Sequence, residues 1–249
     1  MRWLGPVGER MLDLARLKDG DIVLDVATGS GEPGLSAARR VGKGKVIGLD
    51  ISQGMVGIAR EKARAMRLKN YEAQVYSSEF PFGPDTFDAV ISRFGVMFFP
   101  DVLAGLREMA RVLKPGGILC VAVWGPQNEK AKSVIQVLNR TFGLPEAAPN
   151  GPGPFRCSDA GKTASLMRRA GLHDVGQAEV AVHRAHSSVG QYWEYLLDTN
   201  LVIAEAFNKA SAETRKEAKV KVNKILGSIE EESGKVVFDS IALVSHGVK

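Results

Sequence analysis

The residues best equipped for chemistry lie early in the chain, and they are acids and glycines. The stretch DVATGSGEPG, Asp25 to Gly34, contains Gly29-x-Gly31-x-x-Gly34, with Asp25 four residues ahead of the first glycine. Glycines in such a turn let the backbone approach a ligand at the start of a helix. Alone they choose no ligand, because many strand-to-helix turns need them. Asp50 stands 21 residues after Gly29 and ends the run KVIGLD. A carboxylate there can accept hydrogen bonds from both hydroxyls of a ribose, so the spacing predicts a ligand that carries adenosine. The alternative for Asp50 is an acid at a helix start, beside Ser52. Asp25 separates the adenosine ligands, because a carboxylate inside an apolar strand is costly without a partner. The ammonium group of S-adenosylmethionine would supply one, whereas the pyrophosphate of NAD would be repelled. The alternative here is an Asp satisfied by the N–H groups of its own turn.

These residues need a scaffold that places strand ends beside helix starts. DIVLDVA, KVIGLD, YEAQVY, FDAVISR and ILCVAVW are short apolar runs that read as buried strands. Between them lie helical patterns: LSAARRV with Pro33 in its first turn, SQGMVGIAREKARAMRL with Ser52 as its cap, and DVLAGLREMARVLK, ended by a glycine pair at 116 and 117. Strand alternates with helix about five times over 1–125, which predicts a doubly wound α/β sheet with right-handed crossovers. The rhythm changes at 126–172, with one helix, a Pro- and Gly-rich stretch and a linking helix. Residues 173–249 add two strands, near 174–186 and at KVVFDSIALVSH, around two helical stretches. The expectation is one domain: a cofactor-binding core over 1–125, a cap over 126–172, and the last strands with an inserted helical pair over 173–249.

The 249 residues, 45% hydrophobic and 24% charged, suit a globular protein with a well-buried core. No apolar run approaches the roughly 20 residues of a membrane span, and the start MRWLGPVGERML lacks the features of a signal peptide, so a cytoplasmic protein is expected. Two cysteines are too few for a disulfide framework or a zinc site, and no metal is expected. The net charge of +5 is spread along the chain, with no arginine-rich arm, so no nucleic-acid partner is expected.

VLDVATGSGEPG, VIGLDISQGMVGIAREKA, FPFGPDTFDAVISRFGVMFFPD and LREMARVLKPGG, in that order over residues 20–124, resemble the consecutive motifs of class I S-adenosylmethionine-dependent methyltransferases. The chain looks most like the small-molecule branch that includes the quinone-biosynthesis methyltransferases. The resemblance implies a Rossmann-like, mostly parallel seven-stranded sheet with an antiparallel last strand and a helical cap. It implies S-adenosylmethionine as cofactor and S-adenosylhomocysteine as product. Asp25, Ala27, Thr28, Gly29 and Gly31 would line the methionine end. Asp50 would take the ribose, Ile51 and Met55 would pack near the adenine, and Arg93 and Phe94 would border the cofactor beneath the methyl. The family more often has Gly at the position of Ala27, a small change. It also often has an Asp that contacts the adenine amine, where this chain has Tyr76 followed by Ser77 and Ser78; Ser77 is the substitute acceptor.

Methyl transfer needs an aligned nucleophile and exclusion of water, and for some acceptors a base. His183 and His186 are the candidate bases, each with the plainer reading of a packed or exposed histidine. Trp124, Phe155, Tyr192 and Trp193 are candidates for an acceptor site; Trp124 can equally be an edge aromatic, and Tyr192 and Trp193 an ordinary apolar helix face. The expected partner is a small apolar or aromatic acceptor, with the protein a monomer or homodimer. Three rivals remain: an NAD(P)-linked oxidoreductase, a non-catalytic binding protein of the same fold, and a methyltransferase of RNA or protein.

Overall fold

The structure, a computed structural model, describes residues 2–77, 79–145, 151–228 and 234–249. The middle one of its five parallel strands is β1 (Ile22–Val26), five residues long, whose last four positions are buried. A short run of this kind, buried on both faces, belongs in the middle of a parallel sheet. β1 pairs in parallel with β2 (Lys45–Asp50) on one side and β4 (Phe87–Arg93) on the other. β3 (Tyr71–Val75) and β5 (Leu113–Trp124) extend the parallel sheet outward. The order is β3-β2-β1-β4-β5-β7-β6, with β6 at His173–His186 and β7 at Val236–Val248. β7 runs antiparallel to β5. The expected seven-stranded, mostly parallel sheet with an antiparallel last strand is present.

The chain divides into two compact units. The first comprises Met1–Pro126, Pro152–Val180 and Ile241–Lys249. Its helices are α1 (Gly5–Leu14), α2 (Gly34–Arg40), α3 (Gln53–Ala65), α4 (Val102–Val112) and α6 (Lys162–Arg169). Its core joins Leu24, Val26, Leu49, Val90, Leu106, Met109, Leu119 and Val121. Ser52 caps α3, accepting from the Met55 N–H at 3.3 Å. Pro33 stands at the N-cap of α2, one residue ahead of the first turn where the sequence places it. The glycine pair at 116 and 117, expected to end the helix, instead lies inside β5: Leu113 pairs with Phe87 and Ile118 with Ala89, so four residues bulge opposite Asp88.

The second unit comprises Gln127–Gly151 and Ala181–Ser240. It contains α5 (Glu129–Phe142), α7 (Val189–Thr199), α8 (Leu201–Lys209) and α9 (Ala212–Gly227). Val134, Leu138, Tyr192, Trp193, Leu196, Phe207, Val222 and Phe238 form a core of its own. The single helix expected over 189–207 is broken at Asn200, whose side chain accepts from the Ile203 N–H at 3.1 Å and starts α8. Among the described residues no helix is long and apolar enough to cross a membrane.

α2 starts hard against β1. A Cβ on Gly34 would lie 2.6 Å from Asp25 Oδ2 and 2.9 Å from the Tyr71 ring. Gly34→Ala should therefore lower stability by about 1–3 kcal/mol, read from urea unfolding; a variant as stable as the parent would contradict this packing.

Candidate cofactor site

Asp25 ends up fully buried near the carboxyl end of β1. Its Oδ2 accepts from the Thr28 hydroxyl at 2.6 Å and the Gly34 N–H at 3.0 Å. Thr28 Oγ1 also lies 2.9 Å from the Tyr71 hydroxyl, making a three-residue chain of oxygens. The turn thus satisfies one oxygen of its own acid, the plainer of the two expectations. Oδ1 is buried with no hydrogen-bond partner among the described residues. Burial raises the carboxyl to about 7, against the pull of Thr28, the Arg93 charge and the Gly34 N–H.

Between Asp25 and Gly34 the backbone turns through left-handed conformations at Ala27 (φ 57°), Gly29 (φ 54°) and Gly31 (φ 105°). A left-handed alanine is strained by roughly 1–2 kcal/mol, which gives the family's glycine at this position a reason and makes Ala27 more than a small change. The Ala27 methyl lies 2.5 Å from where Gly95 would carry a Cβ, so Gly95 makes the room for it. At Gly29 the opposite holds, since no atom lies within 4 Å of an added Cβ. That side of the turn is open, a cradle in which a ligand can meet the backbone.

Asp50 lies across the turn, buried at the end of β2. Its Oδ2 accepts from the Gly29 N–H at 2.8 Å and its Oδ1 from the Ser52 N–H at 2.9 Å. A carboxylate has about four acceptor sites, so capacity remains on both oxygens. Ile51 (70% exposed) and Met55 (44%) present bare apolar side chains next to it. Tyr76 donates its N–H to the Asp50 carbonyl at 3.1 Å. Its half-buried ring packs edge-on against Phe80, and burial together with the Asp50 charge raises its phenol. Tyr76 thus sets an aromatic ring near Asp50, at the position where the family often has an acid. Ser77 is exposed, and Ser78 lies outside the described residues.

The carboxyl ends of β4 and β5 carry a second group. Arg93 is largely buried, donates to the Leu4 carbonyl at 3.3 Å, and feels the charges of Asp25 and Glu32 while burial lowers its pKa. Phe94 is also left-handed (φ 60°), a conformation rarely seen in a bulky residue away from functional sites. Its ring stacks on Trp124 at 4.2 Å, and Trp3 stacks on Trp124 at 6.2 Å. Trp3 and Leu4 were missed by sequence reasoning: neither belongs to a motif, and only the fold brings them to Arg93 and Trp124.

Residues 23–117 match the family model described as a methyltransferase domain. Over this stretch the chain is similar to a methyltransferase domain. A demethylmenaquinone methyltransferase from Bacillus cereus is 38% identical over 120 residues, which are 47% of this chain and 49% of that protein. The chain thus spans about half the length of the curated relatives it matches. A solved S-adenosylmethionine-dependent methyltransferase from Aquifex aeolicus is similar over 70% of this chain and 83% of its own, with 29% identity and a TM-score of 0.54. The YcgJ protein of Bacillus subtilis shares the fold over 97% of both chains, with 21% identity and a TM-score of 0.63.

The methyltransferase domain does not hold all the residues proposed for chemistry. Phe155 belongs to the first unit, half-buried in a loop tied down by the Gly153 N–H to the Met97 carbonyl at 3.1 Å. Tyr192 and Trp193 are side chains of the second unit's core: Tyr192 stacks on Phe238 at 5.1 Å, and the Trp193 indole donates to Asn223 at 2.9 Å. Their burial favours the apolar-helix reading over an acceptor role. His183 is exposed and paired with Asp239 at 2.7 Å. His186 is buried among Tyr192, Tyr195 and Phe238, and burial holds its ring at about 4, so it is neutral at pH 7. Neither geometry marks a base.

Asp25 gives the domain a pH signature. Its folded value of about 7 lies above the ordinary 3.8. Between those values the folded chain keeps a proton that the unfolded chain has lost, so stability falls as pH rises through this window. The group's share is on the order of a few kcal/mol. Asp25→Asn keeps an acceptor for Thr28 and Gly34 and removes the titration. Urea unfolding at pH 5 and pH 8 should show the parent losing more stability than the variant; equal losses would show that Asp25 ionises normally.

Proposed function

We propose that this chain binds S-adenosylmethionine in the turn between β1 and α2 and transfers its methyl group to a small, apolar or aromatic acceptor of quinone-like kind. The observation that carries the reading is the pairing of Gly29 with Asp50: an open, left-handed glycine turn held by the same carboxylate that retains free acceptor sites. The residues fit such a cofactor. Asp50 takes the ribose hydroxyls, Ile51, Met55 and Tyr76 provide apolar surface for the adenine, and Ser77 offers an acceptor for its amine. The unpartnered Oδ1 of Asp25 faces the need for a cation that an ammonium group meets. The bound cofactor supplies a methyl group on a positive sulfur, already activated for displacement.

The chain's part is alignment and shelter. Phe94 and Trp124 set flat apolar faces at the ends of β4 and β5, where open α/β sheets place their ligand crevice. Arg93, held by the Leu4 carbonyl, keeps positive charge next to Asp25 and steadies the floor of the site. The relative's name, demethylmenaquinone methyltransferase, supports a quinone-like acceptor. The activity calls for no base when the acceptor arrives ionised, and none is assigned.

Asp50→Ala should weaken S-adenosylhomocysteine binding more than tenfold in calorimetry, since charge-assisted hydrogen bonds contribute about 1.5–3 kcal/mol each. The parent should also prefer S-adenosylhomocysteine over its 2′-deoxy analogue, and the variant should not. An unchanged affinity removes the ribose role. Stabilisation in thermal-shift assays by NAD(H) or NADP(H) alone would replace this reading with an oxidoreductase.

A further inference from the structure

A groove of about 410 Å³ opens in the second unit, lined by Phe207, Ala212, Arg215, Lys216, Lys219, Val220 and Asn223. Ligand sites start at roughly 300 Å³. All but Phe207 lie on α9 between Ala212 and Asn223, and Ser211 caps that helix. Five basic residues and two acids make up the charge of α9 over Ala212–Gly227. Glu217 pairs with Lys221 at 2.6 Å, and neither lines the groove. Arg215, Lys216 and Lys219 form no ion pair among the described residues. Lys219 Nζ lies 5.7 Å from the centre of the Phe207 ring, so its ammonium stands over the groove's aromatic floor.

Asn223 completes the pattern. The indole N–H of Trp193 can only donate, so the 2.9 Å contact fixes the Asn223 carbonyl oxygen toward Trp193 and leaves the amide N–H₂ as the polar group available to the groove. Among the described residues, every polar side chain lining the groove is therefore a donor: one guanidinium, two ammonium groups and an amide. The rest of the lining, Phe207, Ala212 and Val220, is apolar, and Val220 is 62% exposed.

We propose that this groove is a binding site for an anionic amphiphile, a phosphate or carboxylate joined to an apolar chain. The anion accepts from Arg215, Lys216, Lys219 and Asn223, and the apolar chain covers Val220 and the floor at Phe207. The site is independent of the proposed methyl transfer, and none of its residues belongs to the β1–α2 turn.

The test uses the full chain and decyl phosphate below its micelle concentration, with inorganic phosphate as the comparison, followed by calorimetry. Decyl phosphate should bind at least tenfold more tightly than inorganic phosphate. The pair Lys216→Glu and Lys219→Glu, both on the surface, should weaken it at least tenfold, while circular dichroism and S-adenosylhomocysteine affinity stay unchanged. Val220→Ser should reduce the preference for the alkyl phosphate and leave inorganic phosphate unaffected. Absence of decyl phosphate binding, equal affinity for the two phosphates, or binding that survives charge reversal would each overturn the proposal. Salt-sensitive binding of a mixed-sequence RNA that displaces decyl phosphate and is the tighter ligand would also overturn it.

Discussion

A single buried carboxylate sets the terms for the first unit. Asp25 occupies β1, the middle one of the five parallel strands, and is itself fully buried. Leaving it there requires donors at fixed places, and the chain supplies them locally: the Thr28 hydroxyl and the Gly34 N–H. These two bonds decide the shape of the turn. The Gly34 N–H can reach Oδ2 only if α2 starts so close to β1 that position 34 has no room for a side chain. Thr28 must face inward, which brings its hydroxyl to Tyr71 at the start of β3. The left-handed residues between are the geometric remainder of that demand. Gly34, which completes a dinucleotide-like spacing in the sequence, is thus there for Asp25 rather than for a pyrophosphate.

The legible parts of the sequence were those where one chemical property repeats over a short distance. Five apolar runs bounded by turn residues gave the parallel strands, and Ser52 before a helical pattern gave a real cap. Asp25, Gly29 and Asp50 stood out because acids inside apolar runs and glycines at close spacing are conspicuous. Features that depend on two distant places at once were hidden. Nothing in Trp3 announces Trp124, 121 residues away, as its stacking partner. The compensation between the Ala27 methyl and the bare Gly95 is invisible until both are in space. The glycine pair at 116 and 117 had the composition of a helix stop, yet strand pairing on both sides of it made it part of a bulge. Tyr192 and Trp193 carried the right chemistry for a pocket and were recruited by a core instead.

Net charge was equally ambiguous as a single number. The excess of +5 is compatible with many partners when taken over 249 residues. In the structure its meaning depends on neighbours. Arg40 of α2 is held by Glu9 and Asp13 of α1, and Lys114 of β5 by Asp88 of β4, so these cations tie elements of the first unit together, while Arg111 pairs with Glu108 within α4. Surface pairs of this kind contribute little stability each, but they leave little charge to recruit a ligand. Along α9 the cations outnumber the acids, and Arg215, Lys216 and Lys219 form no ion pair among the described residues.

The same logic explains why Arg93 and Asp25 share a region without forming a close pair. Each is shifted toward its neutral form by burial and back toward its charged form by the other. A direct salt bridge would consume the acceptor capacity of Oδ1 and close the turn on itself. At a distance, Arg93 moderates the cost of the carboxylate while Oδ1 stays unengaged. A carboxyl held near 7 is poised between its two states at ordinary pH, so a cation arriving close to it draws it toward the ionised form. The energy that burial withholds from the free protein is then recovered only when positive charge enters the turn, which favours ligands with an ammonium group over those with a phosphate at that position.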